Sequence, residues 1–364
     1  MLTLLVLVAT GALISRLKQN AGDLQNEAKT TAALALAKQA LIADAIAWAR
    51  SAGTDPGYFA LPCPDTVAQA FPNEGSSEGA CGARGVTTIG KFPWRSLGSP
   101  PLRDSSGECL WYILSGEYKQ TQINTQGTLL NHDKNGQLEI RNRADIVIAG
   151  TTPQERAVAA IISPGSTLPG QNRTALANNV DHCGGTYDPA DYLETLNGID
   201  NATPDAGADT ITQLITSRNP TAEDQFNDRI AWISRQEIAD AFNQNSLYVT
   251  RIDNLLTEIA TCLANFAQAD AGGLSRLPWA APLALTDYRD NSEYDDLSGT
   301  HFGRIPFDTD DSAADSGGNL PATLVPGPSN CFNGGAVDNY RNHWKDHLFL
   351  VIAGQHDPTQ AAPN

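Results

Sequence analysis

Residues 1–50 read MLTLLVLVATGALISRLKQNAGDLQNEAKTTAALALAKQALIADAIAWAR. No charged residue precedes Arg16 and Lys18, and proline is absent throughout. A secretory signal places its basic residues ahead of the apolar run and a small-residue cleavage site behind it. Here that order is reversed, and GALISRL is a poor cleavage site. Met1–Ile14 is also shorter than the roughly 20 apolar residues of a membrane span. Beyond it, only Gly22 interrupts a run of helix formers. Leu17, Leu24, Ala28, Ala32, Ala35, Leu36, Ala40 and Ile46 recur near helical spacing, with Glu27, Lys38, Asp44 and Arg50 off that stripe. The spacing predicts one helix from Met1 to about Ala49, stopped by Gly53 and Pro56. At 1.5 Å per residue it would be roughly 75 Å long, apolar all round at first and amphipathic later.

The rest of the chain is polar and acidic. The full sequence carries 24 Lys and Arg against 41 Asp and Glu, a net charge of −17. Such a surface does not suit a phosphate backbone, so nucleic acid is not an expected partner. The six cysteines (63, 81, 109, 183, 262 and 331) form no Cys-x-x-Cys, which argues against zinc ribbons, redox motifs and c-type haem. An even number in a chain read as exported predicts up to three disulfides, with fifteen pairings open. Cys63 with Cys81 is the favoured pair, because the two flank a turn-rich loop with little apolar content of its own. Closing it would contribute roughly 3 kcal/mol.

A weak internal repeat runs through the chain. A helix, LPCPD at 61–65, GKFPW at 90–94 and LWYILS at 110–115 occur in that order. They recur as a helix over Gln236 to about Ala269, LPWA at 277–280, GRIPF at 303–307 and LFLVIA at 348–353. The second helix would bury Ile238, Phe242, Ile252, Leu255, Ile259 and Leu263. Proline ends each helix and biases the preceding residue to extended backbone, so Leu61 and Leu277 should anchor the returning chain, with Trp94 and Phe307 as core plugs. Strands are expected at 110–115, 137–141, 145–150, 157–163 and 347–353. The apolar runs at 145–150 and 157–163 should be buried. The stretch from Pro164 to about Asp209 reads as a polar excursion with a short helix at most, and 283–325 as mostly loop. The resulting fold class is α+β: a long N-terminal helix packed on an antiparallel-sheet head, with two related helix-and-sheet modules. The domain bounds are 1–52 for the helix, 53–235 for the first module and 236–364 for the second.

The apolar-then-amphipathic helix followed by a polar head resembles the type IV pilins and pseudopilins. LPCPD, FPWRSLG and LWY also look like large prepilin-type proteins of Gram-negative bacteria, a likeness covering roughly residues 1–180. Leu5 stands where that family usually carries a glutamate. The resemblance implies that Met1 is the end left after a basic leader is removed. It further implies a structural subunit of an extracellular filament, inner-membrane-anchored before assembly, that polymerises with copies of itself and meets pilus or secretion assembly machinery. Met1, Leu2, Leu4, Leu5, Leu7, Val8, Leu13, Ile14 and Leu17 would make the filament interface. About ten aliphatic side chains buried at roughly 1.5–3 kcal/mol each would suffice for a stable polymer. A minor tip pilin or type II secretion pseudopilin is the alternative within the class. A membrane-tethered periplasmic enzyme or glycan-binding protein is the alternative outside it.

No phosphate loop, Gly-x-Ser-x-Gly elbow or His-Glu-x-x-His motif is present, so no catalytic residue or cofactor is assigned. His343 and His347 are four apart but lead into an expected strand, a poor setting for a shared ion. Asp308, Asp310, Asp311 and Asp315 offer hard oxygen ligands at near-alternate spacing, and calcium is the cation such a loop would take. Asn172-Arg-Thr and Asn201-Ala-Thr are formal glycosylation acceptors.

Overall fold

The computed structural model describes residues 2–51, 60–67, 73–120, 135–174, 183, 185–217, 225–244, 246–286, 290–324, 345 and 348–361, with the first helix's side chains described at Gly22 and from Leu24 to Ala47. The sequence has 364 residues. Helix α1 runs Leu2–Ser51 without interruption, as the absence of proline dictates. Its buried residues are Thr30, Ala33, Leu34, Ala37, Leu41 and Ala45, one stripe at i, i+3 and i+4. This is not the stripe that apolar spacing predicts. Leu24 is 70% and Leu36 53% exposed, and Ala28, Ala32 and Ala35 are exposed with them. At 3.6 residues per turn those residues lie on the opposite side of the helix from Ala37 and Leu41. The chain buries the face of Ala33, Leu34, Ala37 and Leu41 and leaves the other apolar face exposed.

Two compact units account for the described residues. One holds α1 through Trp48 and residues up to Ala241, and the other is made chiefly of 242–361. In the first unit, strands β1 (Thr88–Lys91), β2 (Trp111–Leu114), β3 (Leu138–Asn142), β4 (Val147–Ala149), β5 (Ala157–Ser163), β8 (Thr212–Thr216) and β9 (Arg229–Ser234) form one sheet. The order β1-β2-β5-β3-β4 is antiparallel throughout, with β9 antiparallel on β5. The expected purely antiparallel sheet is corrected at β8, which runs parallel to β3. A further hairpin, β6 (Thr195–Leu196) with β7 (Ile199–Asp200), lies in the supposed loop excursion. β5 is buried at all seven positions. β4 is not buried: Ile146 is 60% and Ile148 42% exposed, because β4 ends the strand order and its outer face is uncovered.

One face of the sheet carries Trp111, Ile113, Leu138, Ile140, Ala160, Ile162, Leu214 and Ile230 against Tyr192 and Leu193. On the other, Tyr112 and Leu114 are fully buried, and Asp44 of α1 lies close enough to raise the Tyr112 phenol, an effect second to burial. Polar pairs fix α1 along its length. Asp44 accepts from Gln120 at 2.9 Å, Thr30 meets Ser105 at 3.1 Å, Glu27 pairs with Arg229 at 2.6 Å and Lys38 with Glu237 at 2.5 Å.

The expected second helix is two helices, α2 (Arg235–Asn243) and α3 (Ser246–Gln268). Asn243 and Asn245 flank the break, and asparagine is a weak helix former. Ser234 and Glu237 make a reciprocal cap on α2: Glu237 Oε2 accepts from Ser234 N, and Glu237 N donates to Ser234 Oγ. In the second unit Leu255, Ile259, Cys262 and Phe266 of α3 pack on Trp279, Ile305, Phe307, Leu350 and Ile352. Its hairpin is β10 (Phe302–Arg304) with β11 (Phe349–Val351), and a short α4 covers Asp310–Asp315.

The two units share one plan, residue for residue. Gly90 opposes Tyr112 and Lys91 opposes Trp111; Gly303 opposes Leu350 and Arg304 opposes Phe349. Asp65 and Lys91 exchange two backbone hydrogen bonds, and so do Ala281 and Arg304. Leu61 N donates to Tyr118 O, and Leu277 N to His356 O. A 3-10 turn at Gly116–Tyr118 follows β2, and one at Gly354–His356 follows β11. Both glycines are required at their crossings. A Cβ on Gly90 would lie 2.6 Å from Asp65 O, and one on Gly303 2.0 Å from Ala281 O. Trp94 and Phe307 are both buried.

Candidate functional site

The predicted interface residues Leu2, Leu4, Leu5, Leu7, Val8, Leu13, Ile14 and Leu17 fall on the helical backbone of α1, but their side chains, and Met1 altogether, lie outside the described residues. Leu24–Ala47 is long and apolar enough to cross a membrane by length and composition. One side of that segment is nevertheless committed to the sheet through Ala33, Ala37 and Leu41. The exposed line of Leu24, Ala28, Ala32, Ala35 and Leu36 is therefore apolar surface with no use inside its own unit.

The cysteines support an oxidising setting. Cys63 is bonded to Cys81, as expected, with Cα atoms 5.7 Å apart, and Cys109 to Cys183 at 5.4 Å. Cys262 is also disulfide-bonded, to a residue outside those described.

Two buried polar clusters were not legible in the sequence. In the first, Asp65 Oδ2 accepts from Gly75 N at 2.8 Å and from the Tyr187 hydroxyl at 2.9 Å. Lys91 donates to Cys183 O at 3.2 Å and stands 4.3 Å from the centre of the Tyr187 ring. Burial pushes the Asp65 carboxyl up to about 6 against its two hydrogen bonds. Burial likewise pulls the Lys91 ammonium down to about 8, opposed by Glu74 and Asp65. In the second, Asp228 Oδ2 accepts from Glu194 N and Asn201 Nδ2, and Glu194 accepts from Asn227 N and Gln171. Burial raises both carboxyls, and for Asp228 the neighbouring Glu194 charge comes second. Asn201 spans to Ile215 through both amide atoms, so the formal acceptor Asn201-Ala-Thr is fully occupied and buried. Arg173 donates to Gly165, Asp191 and Tyr192 carbonyls. These groups order a segment that has too few apolar residues to order itself. Their partners are backbone groups and neighbouring side chains, the arrangement of a structural network.

Of the residues in the calcium expectation, Asp310, Asp311 and Asp315 lie on the short helix α4. Asp311 Oδ2 accepts from Ser298 N, and Asp315 Oδ2 from Trp279 Nε1. Among the described residues no three His, Cys, Asp or Glu side chains gather as a metal site. His343 and His347 lie outside the described residues. The described residues thus form an N-terminal helix, a seven-stranded mixed sheet and a second helix-and-hairpin module. No protein-family model, no curated protein and no solved structure matches this chain.

Proposed function

We propose that this chain is a structural subunit of an extracellular type IV pilus-like filament, polymerising with its own copies through α1. The observation that carries the reading is the division of labour around that helix. One side is spent on the sheet, and the opposite side, Leu24 to Leu36, is apolar and exposed. That free side continues in sequence from the uncharged, mainly apolar run Leu2–Ile14. In a bundle of such helices both would be covered by neighbours, while the head stays in water. Before assembly the same apolar run would hold the subunit in the inner membrane, and the disulfides fit its head to an oxidising compartment. Assembly machinery is the expected further partner.

Leu24→Glu with Ala32→Glu tests this. Both positions are exposed, so the head should fold with unchanged circular dichroism and intact disulfides. Filament assembly should fall at least tenfold, because charge placed in an apolar bundle goes unpaired. Normal filaments from the double variant would sink the proposal. A tip-located or secretion-system subunit is the second reading, favoured by Leu5 and by the two-module head. Counting copies per filament by immunogold labelling separates the two: one label at an end supports a tip subunit, and continuous labelling a major one.

A further inference from the structure

The two modules share a register but not a covering. In the first, β2 is flanked by β1 on one edge and β5 on the other, with Trp111 opposite Ile162 and Ile113 opposite Ala160. Trp111 and Ile113 are fully buried there. The positions at the same register in the second module are Phe349 and Val351, which are 51% and 69% exposed, and Phe302, which is 52% exposed. Phe302 and Phe349 stack with ring centres 6.1 Å apart, and the Arg304 guanidinium lies 5.7 Å from the Phe349 ring. Among the described residues β10 and β11 form a sheet of two strands only. Ile352 N donates inward to His301 O, so antiparallel alternation turns the peptide groups of Phe349 and Val351 to the outer edge. No described residue pairs with that edge. An open edge beside a bare apolar face is what native sheets normally cover or blunt.

We infer that the outer edge of β11 takes an extended segment of another protein, added antiparallel as a further strand. The first module shows what chemistry such a segment has. β5, AVAAIIS, is uncharged and made of small and β-branched side chains. The occupant is therefore an uncharged apolar strand. A second copy is the poorer candidate, since it brings a net charge of −17 and another Arg304 to the same patch. Main-chain pairing would supply affinity, and Phe302, Phe349 and Val351 the selection of side chains.

The probe is a peptide of residues 157–163 bearing two glutamates at each end, titrated into the intact chain. Saturable binding is expected, with slowed amide exchange at Phe349 and Val351. Val351→Lys, at an exposed position, should weaken it at least tenfold without altering the fold. Phe302→Lys should do the same. Absence of binding, or binding that ignores both variants, overturns the inference. Protection of the same amides by concentration-dependent dimerisation without peptide overturns it in favour of a second copy. None of these readouts involves filament formation, so this inference and the filament proposal fail separately.

Discussion

Asp65 shows how a single carboxyl can set a pH dependence. Its Oδ1 is buried without a hydrogen bond while Oδ2 holds Gly75 and Tyr187. The folded value near 6 lies above the ordinary 3.8. Between those values the folded state keeps a proton that the unfolded state has lost. Stability from this group is therefore full below about pH 4 and declines as pH rises through 6. Asp65→Asn removes the titration but keeps an acceptor for both donors. Urea unfolding should show the variant more stable than the parent at pH 7, with the gap closing towards pH 4. A gap of the opposite sign at pH 7 would mean that Asp65 is stabilised as a carboxylate, by Lys91 beyond the cost of burial. No sequence pattern marks this group, because its partners lie 10 and 122 residues away.

At the scale of elements, α1 was legible in extent but not in orientation. The absence of proline and the run of helix formers fix its length. Alanine lies on every side, and the leucines divide evenly between Leu34 and Leu41 on the buried face and Leu24 and Leu36 on the exposed one, so apolar spacing alone does not select the face. Packing decides: Ala37 and Ala45 are fully buried, while Leu24 and Leu36 are not. Ala37→Leu should overfill that contact and cost about 1–3 kcal/mol, whereas Ala32→Leu on the free side should leave head stability within about 0.5 kcal/mol. Equal losses in chemical denaturation would contradict the assigned faces. β5 was equally legible, since an uncharged run of seven has nowhere to go but a core. β6, β7 and β8 were not. They are short, and Asn201, Asp228 and Arg173 hold their surroundings by hydrogen bonds rather than by apolar periodicity.

For the whole molecule, the repeat was the most informative sequence signal, because Gly90 and Gly303 are each demanded by a backbone crossing with equivalent partners, Asp65 and Ala281. What the repeat could not reveal is how differently the two copies are finished, with seven strands around one and two around the other. The core about Phe307 and that about Trp111 share no residues. Phe307→Ala should cost about 3–5 kcal/mol locally, lowering one calorimetric transition while the one reported by the first core stays in place. A single transition moved as a whole would show one cooperative unit.

The disulfides have a mechanical meaning if load ever reaches the chain along α1. Cys63–Cys81 closes a separation of 18 residues and Cys109–Cys183 one of 74. At about 3.5 Å per extended residue these withhold roughly 60 Å and 260 Å of slack from a stretched molecule. Pulled from its ends, the oxidised chain would yield in short, stiff steps, and reducing it would release the hidden length. These two covalent links would then act as stops on extension, sited in the module that α1 enters first.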